Sequence, residues 1–348
     1  MQKTHLLSLD WRELQSFVEA LGEPGFRAKQ LRNWIFQNLE NTFSGMTNLP
    51  KNMLLKLDET STCQSLSLNA EQKSIDGTVK WAFETWDHHF FETVFIPSEG
   101  RNSLCVSSQI GCAMGCTFCR TATMGFIRNL TLGEIIEQVF LANKYVASLD
   151  LGRITNVIFM GMGEPLLNLE NVAKACETLN SPDGFNISKH KITVSTSGVA
   201  PKILEWGQRA PDFKLAISLN GSNNTLRSSL MPVNKRYPLE TLLQTADTYI
   251  RLTGQKLTFE YILIKDVTCT PEAARELKQI ASHRNCKINL IPLNKGEDPA
   301  LQPPSEMEIV EFERILDQGD FEVLRRKPRG SDIFAACGQL AKAQKKAA

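Results

Sequence analysis

Hydrophobic and polar positions change rhythm along the chain. Residues 1 to about 70 keep a helical period. Leu14, Phe17 and Val18 fall on one face of the stretch 11–18. A Gly-Glu-Pro-Gly turn follows at 22–25, and Leu31, Trp34 and Ile35 repeat the spacing across residues 26–36. Between 78 and 97 the period falls to about two, on either side of Asp87-His88-His89, which predicts two strands joined by a polar turn. From about residue 104 short apolar runs alternate with helical patterns. Strands are predicted at 104–108, 154–160, 192–196, 215–219, 257–264 and 288–292. Between the first two, Leu132, Ile135, Ile136, Val139 and Phe140 form one apolar stripe. Other helices begin near Leu169, Pro201, Pro238 and Pro271, where a proline costs no helical hydrogen bond in the first turn. Strand–helix alternation implies parallel strands with right-handed crossovers. Six units are too few for a complete eight-fold barrel, so an open, partial barrel is expected, with chemistry at the C-terminal ends of its strands.

Charge changes this picture little. Lysine and arginine number 39 against 38 acidic residues, a net charge of +1, so any basic surface must be local. The first ten residues lack the apolar core of a signal peptide, and no apolar run is long enough to span a bilayer. A cytoplasmic protein with no membrane partner is expected. There the nine cysteines (63, 105, 112, 116, 119, 176, 269, 286 and 337) are metal ligands, catalytic thiols or core residues rather than disulfides. Arg27, Lys29 and Arg32 on the second helix are either a solvated face or a grip on nucleic-acid backbone. The tail 341–348 is small and basic.

Cys112, Cys116 and Cys119 follow the first predicted barrel strand at the spacing C-x3-C-x2-C. Three thiolates on one tight loop bind three irons of a cubane and leave the fourth open, whereas ordinary iron–sulfur carriers supply four. An open iron suits chelation by the amine and carboxylate of a small amino acid. Zinc is the alternative, but no nearby histidine completes its set; His88 and His89 are remote.

Six segments carry a resemblance. They are Glu92-Thr93-Val94-Phe95-Ile96-Pro97, residues 105–112 (CVSSQIGC), residues 125–131 (GFIRNLT), residues 161–168 (GMGEPLLN), residues 194–199 (VSTSGV) and residues 335–340 (AACGQL). In this order they resemble the radical S-adenosylmethionine superfamily and, more narrowly, the RlmN family of dual-specificity rRNA and tRNA adenine-C2 methyltransferases. The resemblance covers nearly the whole chain. It implies an α/β fold: a partial (β/α)6 barrel at 101–320, a small N-terminal helical, RNA-binding-like domain at 1–75, a strand-pair extension at 76–100, and a C-terminal segment at 321–348 that delivers a cysteine.

The resemblance also implies roles. A 4Fe–4S cluster sits on Cys112, Cys116 and Cys119. Phe118 lies near the adenine of S-adenosylmethionine. Gly163 and Glu164 meet its ammonium; the alternative for Glu164 is a helix cap before Pro165. Ser195, Ser218, Leu219, Asn220 and Asn294 surround its ribose and carboxylate. The family usually has histidine at Asn220, and residues 120–124 depart from its commoner serine-containing version.

Adenine C2 is not nucleophilic, so simple methyl transfer is closed to it. The implied route uses two molecules of S-adenosylmethionine per turnover. One methylates Cys337. The other yields a 5′-deoxyadenosyl radical that takes hydrogen from that methyl. The methylene adds to C2, Glu92 accepts the proton, and Cys105 helps release the product through a transient Cys105–Cys337 disulfide. Cys63, Cys176, Cys269 and Cys286 match nothing and are expected to be structural. The cations of the stretch 325–330, just before Cys337, are a charged loop or a phosphate contact. The implied partners are 23S rRNA at the peptidyl-transferase centre, the tRNA anticodon loop and a flavodoxin-type electron donor, for a monomer. Two rivals are a sister enzyme acting at adenine C8 in antibiotic resistance, and a non-catalytic iron–sulfur or zinc RNA-binding protein.

Overall fold

The computed structural model describes residues 3–294 and 300–340; the basic tail at 341–348 lies outside them. Three helices come first: α1 (Trp11–Ala20), α2 (Phe26–Phe36) and α3 (Lys51–Thr60). Asp10 and Glu13 cap α1 reciprocally, and Leu14 and Val18 face inward. Arg32 does not decorate the surface of α2. It is buried, and its Nε donates to the Asp183 carbonyl at 3.0 Å. Burial lowers its pKa, and the bond to Asp183 ties α2 to the chain beyond the helix Leu169–Asn180. The edge-on pair Phe36–Phe185, with centroids 5.0 Å apart, extends that contact.

One ten-stranded sheet follows in strict chain order. Its strands are β1 (Leu66–Lys73), β2 (Val79–Thr85), β3 (Phe90–Ser98), β4 (Arg101–Cys105), β5 (Asn156–Phe159), β6 (Ile192–Thr196), β7 (Lys214–Ser218), β8 (Leu257–Leu263), β9 (Cys286–Pro292) and β10 (Glu322–Arg325). The first four pair antiparallel, and β4 through β10 pair parallel. The predicted pair around Asp87 is β2 and β3. The six predicted barrel strands are present, and β10 adds a seventh parallel one. The helical reading to residue 70 fails at β1, a polar strand at the sheet edge that lacks an apolar face to announce it.

Crossover helices α4 (Leu132–Ser148), α5 (Leu169–Asn180), α6 (Ala200–Arg209), α7 (Leu239–Thr253), α8 (Pro271–Ala281) and α9 (Glu306–Leu316) cover the sheet. The stripe on α4 is buried as its spacing predicts, and Thr131 with Glu134 forms its capping box. All seven residues of β8 are buried, as expected of a central parallel strand.

After β10 the chain crosses between the two edges of the sheet as a strap, residues 326–340. The Gly330 N–H donates to Asp76 at 3.0 Å, Asp332 accepts from Ser74 Oγ at 2.6 Å, and Lys80 Nζ reaches the Phe334 carbonyl at 3.2 Å. At its far end Thr121 Oγ1 donates to the Leu340 carbonyl at 2.8 Å. The strap thereby closes the opening that the partial barrel leaves.

Candidate active site

Residues 109–111 and 126–129 form a small antiparallel hairpin that carries the cysteine loop beyond the end of β4. Gly111 has φ +72°, and a Cβ there would lie 1.8 Å from the Gly125 carbonyl oxygen, which accepts from Cys112 N at 2.8 Å. Only glycine fits. The loop is tied across the strand ends by Thr117 N to the Leu230 carbonyl at 3.0 Å and Arg120 N to the Gly338 carbonyl at 2.8 Å.

The Cys112, Cys116 and Cys119 thiols are half-buried and free. Burial pushes Cys112 up to about 12 and raises Cys116 as well, with neighbouring thiols of the trio adding to it. Among the described residues no three histidine, cysteine or acidic side chains converge on one point in the manner of a single metal ion's ligands. Three thiolates bordering one cavity whose wall has no histidine among the described residues match the three-ligand set of an open cubane better than the four ligands of a structural zinc.

A cavity of about 160 Å³ faces this loop, bordered by all three cysteines, Phe118, Gly163, Glu164, Ser195, Ser218, Asn220, Asn294 and Cys337. Gly163, at φ +106°, has no room for a Cβ, which would meet Gln109 at 2.5 Å. Glu164 is buried, and burial raises its carboxyl. It accepts from Ser197 N at 2.7 Å and from Leu166 N at 3.1 Å, so the capping alternative is real, on a short 3-10 turn. Asn220 adopts φ +52°, a region asparagine enters more readily than most residues, and its Oδ1 accepts from Ile262 N at 3.0 Å. Leu219 does not border the cavity. It is buried, with its carbonyl held by Arg227 Nε at 3.0 Å.

Glu260 was absent from the residues expected here. It stands on β8 among apolar neighbours, 4% exposed, and borders the same cavity. One carboxylate oxygen accepts from Ser195 Oγ at 2.6 Å, while Oε1 is buried and unpartnered. A buried acceptor beside two serines fits a ligand rich in hydroxyl and ammonium donors, as S-adenosylmethionine is. The signal in the sequence was a lone carboxylate inside an apolar strand.

A second cavity, of about 570 Å³, occupies the barrel lumen and holds both Cys105 and Cys337. Cys105, the last residue of β4, is pushed up to about 12 by burial and next by the Cys337 thiol. Burial raises Cys337 too, opposed by the Arg326 guanidinium that hydrogen-bonds it. Asn294 Nδ2 donates to the Cys337 carbonyl at 3.4 Å. Glu92 borders neither cavity. It lies buried on β3, 3.1 Å from Lys80 Nζ. Cys63, Cys176, Cys269 and Cys286 are buried away from both cavities.

A three-thiol loop after the first parallel strand of an open barrel belongs to radical S-adenosylmethionine enzymes, and fold and site together assign the chain to that class. A family model described as the radical SAM superfamily matches residues 106–277, and one described as the ribosomal RNA large subunit methyltransferase N-terminal domain matches residues 4–63. The dual-specificity RNA methyltransferase RlmN of an Anaeromyxobacter species is 44% identical, over 97% of this chain and 90% of the relative. That of Vesicomyosocius okutanii is 41% identical, over 98% and 96%. The crystal structure of a radical SAM methyltransferase from Sphaerobacter thermophilus superposes with a TM-score of 0.93, at 39% identity, over 97% of this chain and 99% of that one. The chain therefore belongs to the RlmN family of radical SAM RNA methyltransferases, which use a 4Fe–4S cluster and S-adenosylmethionine.

Proposed function

We propose that the protein methylates C2 of an adenosine in the peptidyl-transferase centre of 23S rRNA and of an adenosine in the tRNA anticodon loop, with Cys337 carrying the methyl in transit. The observation that carries this reading is the position of Cys337. Its residue borders the cavity before the cysteine loop and shares the lumen with Cys105. Cys112, Cys116 and Cys119 would hold the cluster, and Phe118, Gly163, Glu164, Ser195, Ser218, Asn220 and Asn294 would hold S-adenosylmethionine. When bound, these supply a methyl group, an electron and hydrogen abstraction.

The chain's own residues supply the rest. The Arg326 guanidinium favours the Cys337 thiolate, the form that accepts a methyl. Once the base is joined through that carbon to Cys337, a Cys105 thiolate attacks the Cys337 sulfur. The sulfur–carbon bond breaks, the carbon takes a proton and leaves as the methyl of the base, and a Cys105–Cys337 disulfide remains for reduction. Glu92 is the proposed acceptor of the C2 proton. It shares the inward face of β3 with Val94, the register partner of Cys105, which supports that role. A flavodoxin-type donor would deliver the electrons to a monomeric enzyme.

The test is reconstitution without oxygen, then incubation with S-adenosylmethionine, reductant and an unmodified 23S rRNA fragment. Mass spectrometry should find a new methyl at C2, absent with Cys337→Ala, and Cys105→Ala should trap protein bonded to RNA. Methyl at C8 would overturn the C2 assignment. Full methylation by Cys337→Ala would overturn the cysteine route.

A further inference from the structure

Apart from Arg326, the cations of the lumen have no part in the proposed reaction. Among the described residues the lumen wall carries eight lysines and arginines and no aspartate or glutamate. Chance does not favour this in a chain whose cations and anions number 39 and 38. The basic stretch before Cys337, expected to meet phosphate, is largely engaged within the protein. Arg325 binds Glu306 at 2.7 Å and Glu313 at 3.0 Å. Arg326 faces Cys337, and Arg329 lies 3.8 Å from Asp76.

Lys327 of this stretch has no acidic partner among the described residues, and four cations elsewhere in the wall have none either. Arg101 begins β4, Lys191 precedes β6, Lys214 begins β7, and Lys287 is second in β9. All four border the lumen at the N-terminal ends of the strands, opposite the cysteine loop. Strand alternation puts Lys214 on the face of Ala216, and Lys287 on the face of Asn289 and Ile291, all of which line the lumen. The two lysines repel. Lys214 is held below its ordinary pKa by burial and then by Lys287. The carboxylate opposite Lys287 in register, Glu322, is paired with Lys256 at 3.3 Å. Concentrated like charge with no acid destabilises the protein alone and attracts a polyanion. Between this rim and the two thiols the wall is neutral: Asn156, Thr193 and Thr258 offer hydrogen bonds, and Ile158 and Met160 offer apolar surface.

We infer that RNA enters the barrel from the N-terminal ends of its strands, with Arg101, Lys191, Lys214 and Lys287 holding the phosphates that flank the adenosine reaching Cys337. This rests on the proposed function and adds the route and the contacts. The cysteine loop, tied to Leu230 and Gly338, covers the opposite end. The target base must be unstacked to pass the rim, and phosphate contacts fix its register without reading sequence.

The experiment measures binding of an unmodified 23S rRNA fragment to the reconstituted enzyme across a salt series, for the wild type, Lys214→Gln/Lys287→Gln and Arg101→Gln. The expected slope of log affinity against log salt falls by about 0.7 for each cation removed. The loss of affinity should be largest at low salt. The thermal midpoint of the double variant should stay level or rise, because repulsion has been relieved, which separates lost binding from lost folding. An unchanged slope in both variants, while the wild type methylates the fragment, overturns the entry route and leaves the reaction standing. A wild type that neither binds nor methylates RNA overturns the proposed function and this route together.

Discussion

At Cys337 the guanidinium of Arg326 and the surrounding wall pull in opposite directions. Burial favours the neutral thiol, and the cation favours the thiolate. Arg326→Met removes the second influence and leaves the first. The thiol pKa should then rise, and methylation of Cys337 at neutral pH should slow roughly tenfold for each unit of rise. Its pH profile should move to the alkaline side. The rate of S-methyl accumulation, followed by mass spectrometry of the intact protein, reads this. Glu260→Gln keeps the shape of its side chain but weakens the free acceptor, so S-adenosylmethionine affinity should fall by about tenfold, the scale of one hydrogen bond of about 1.4 kcal/mol. Equilibrium binding to the reconstituted protein measures it. These two residues also mark the limit of what the sequence discloses. The cysteine loop is legible because its three ligands are local and their spacing is chemical. Glu260 acts through neighbours far away in the chain, and only the curl of the sheet brings it to Ser195 and Cys337. Arg326 stands eleven residues before Cys337, in a strap whose path no periodicity announces.

Among the elements, the stretch 125–131 shows why a motif has its letters. The Gly125 carbonyl holds Cys112 N, Asn129 Oδ1 accepts from Gln109 at 2.8 Å, and Thr131 caps α4. Arg128 sits between two acids, Glu134 at 2.8 Å and Asp87 at 2.7 Å, and so joins the cysteine-loop hairpin to α4 and to the β2–β3 turn. Arg128→Met leaves the buried Glu134 carboxylate without its cation and should cost about 3 kcal/mol, read by urea unfolding of the cluster-free protein. The pH dependence has a definite sign. Arg128 holds Asp87 well below its ordinary value of 3.8. The stabilisation is therefore complete above that value and is lost as pH falls through the lower folded one. The variant, having lost it at neutral pH, should show a shallower decline in stability below about pH 4. Strands in the middle of the sheet were legible because their runs are short and largely apolar, and β8 is buried on both faces. The edge strands β1 and β10 were not, since polar residues dominate where solvent replaces a neighbouring layer.

Over the whole molecule, the strap is held at several points by the turn between β1 and β2. Asp76 accepts from Gly330 N and Thr78 N, and its carboxyl lies at about 2: burial opposes this shift, and hydrogen bonds from Thr78 and Gly330 outweigh it. Asp76→Ala should loosen the strap and expose Cys337. Its alkylation by iodoacetamide, timed by mass spectrometry, should speed up several-fold, while the buried Cys176 stays unreactive. The barrel was legible as strand–helix alternation. The strap was legible only through the resemblance, which implied a C-terminal segment that delivers a cysteine; a crossing from one sheet edge to the other leaves no periodic trace in the residues that make it.

Strict chain order in the sheet has a consequence for how the protein is made. Each strand, as it leaves the ribosome, finds its partner already in place at the growing edge, so assembly can keep pace with synthesis from β1 to β10. The docking sites for the strap, Ser74, Asp76 and Lys80, emerge some two hundred and fifty residues before the groups they receive. Until residues 330–337 are synthesised, the nascent barrel is open along one side and lacks Cys337, the proposed methyl acceptor. If Cys337 carries the methyl as proposed, the chain gains that group only in a single late step, when the strap is made and closes.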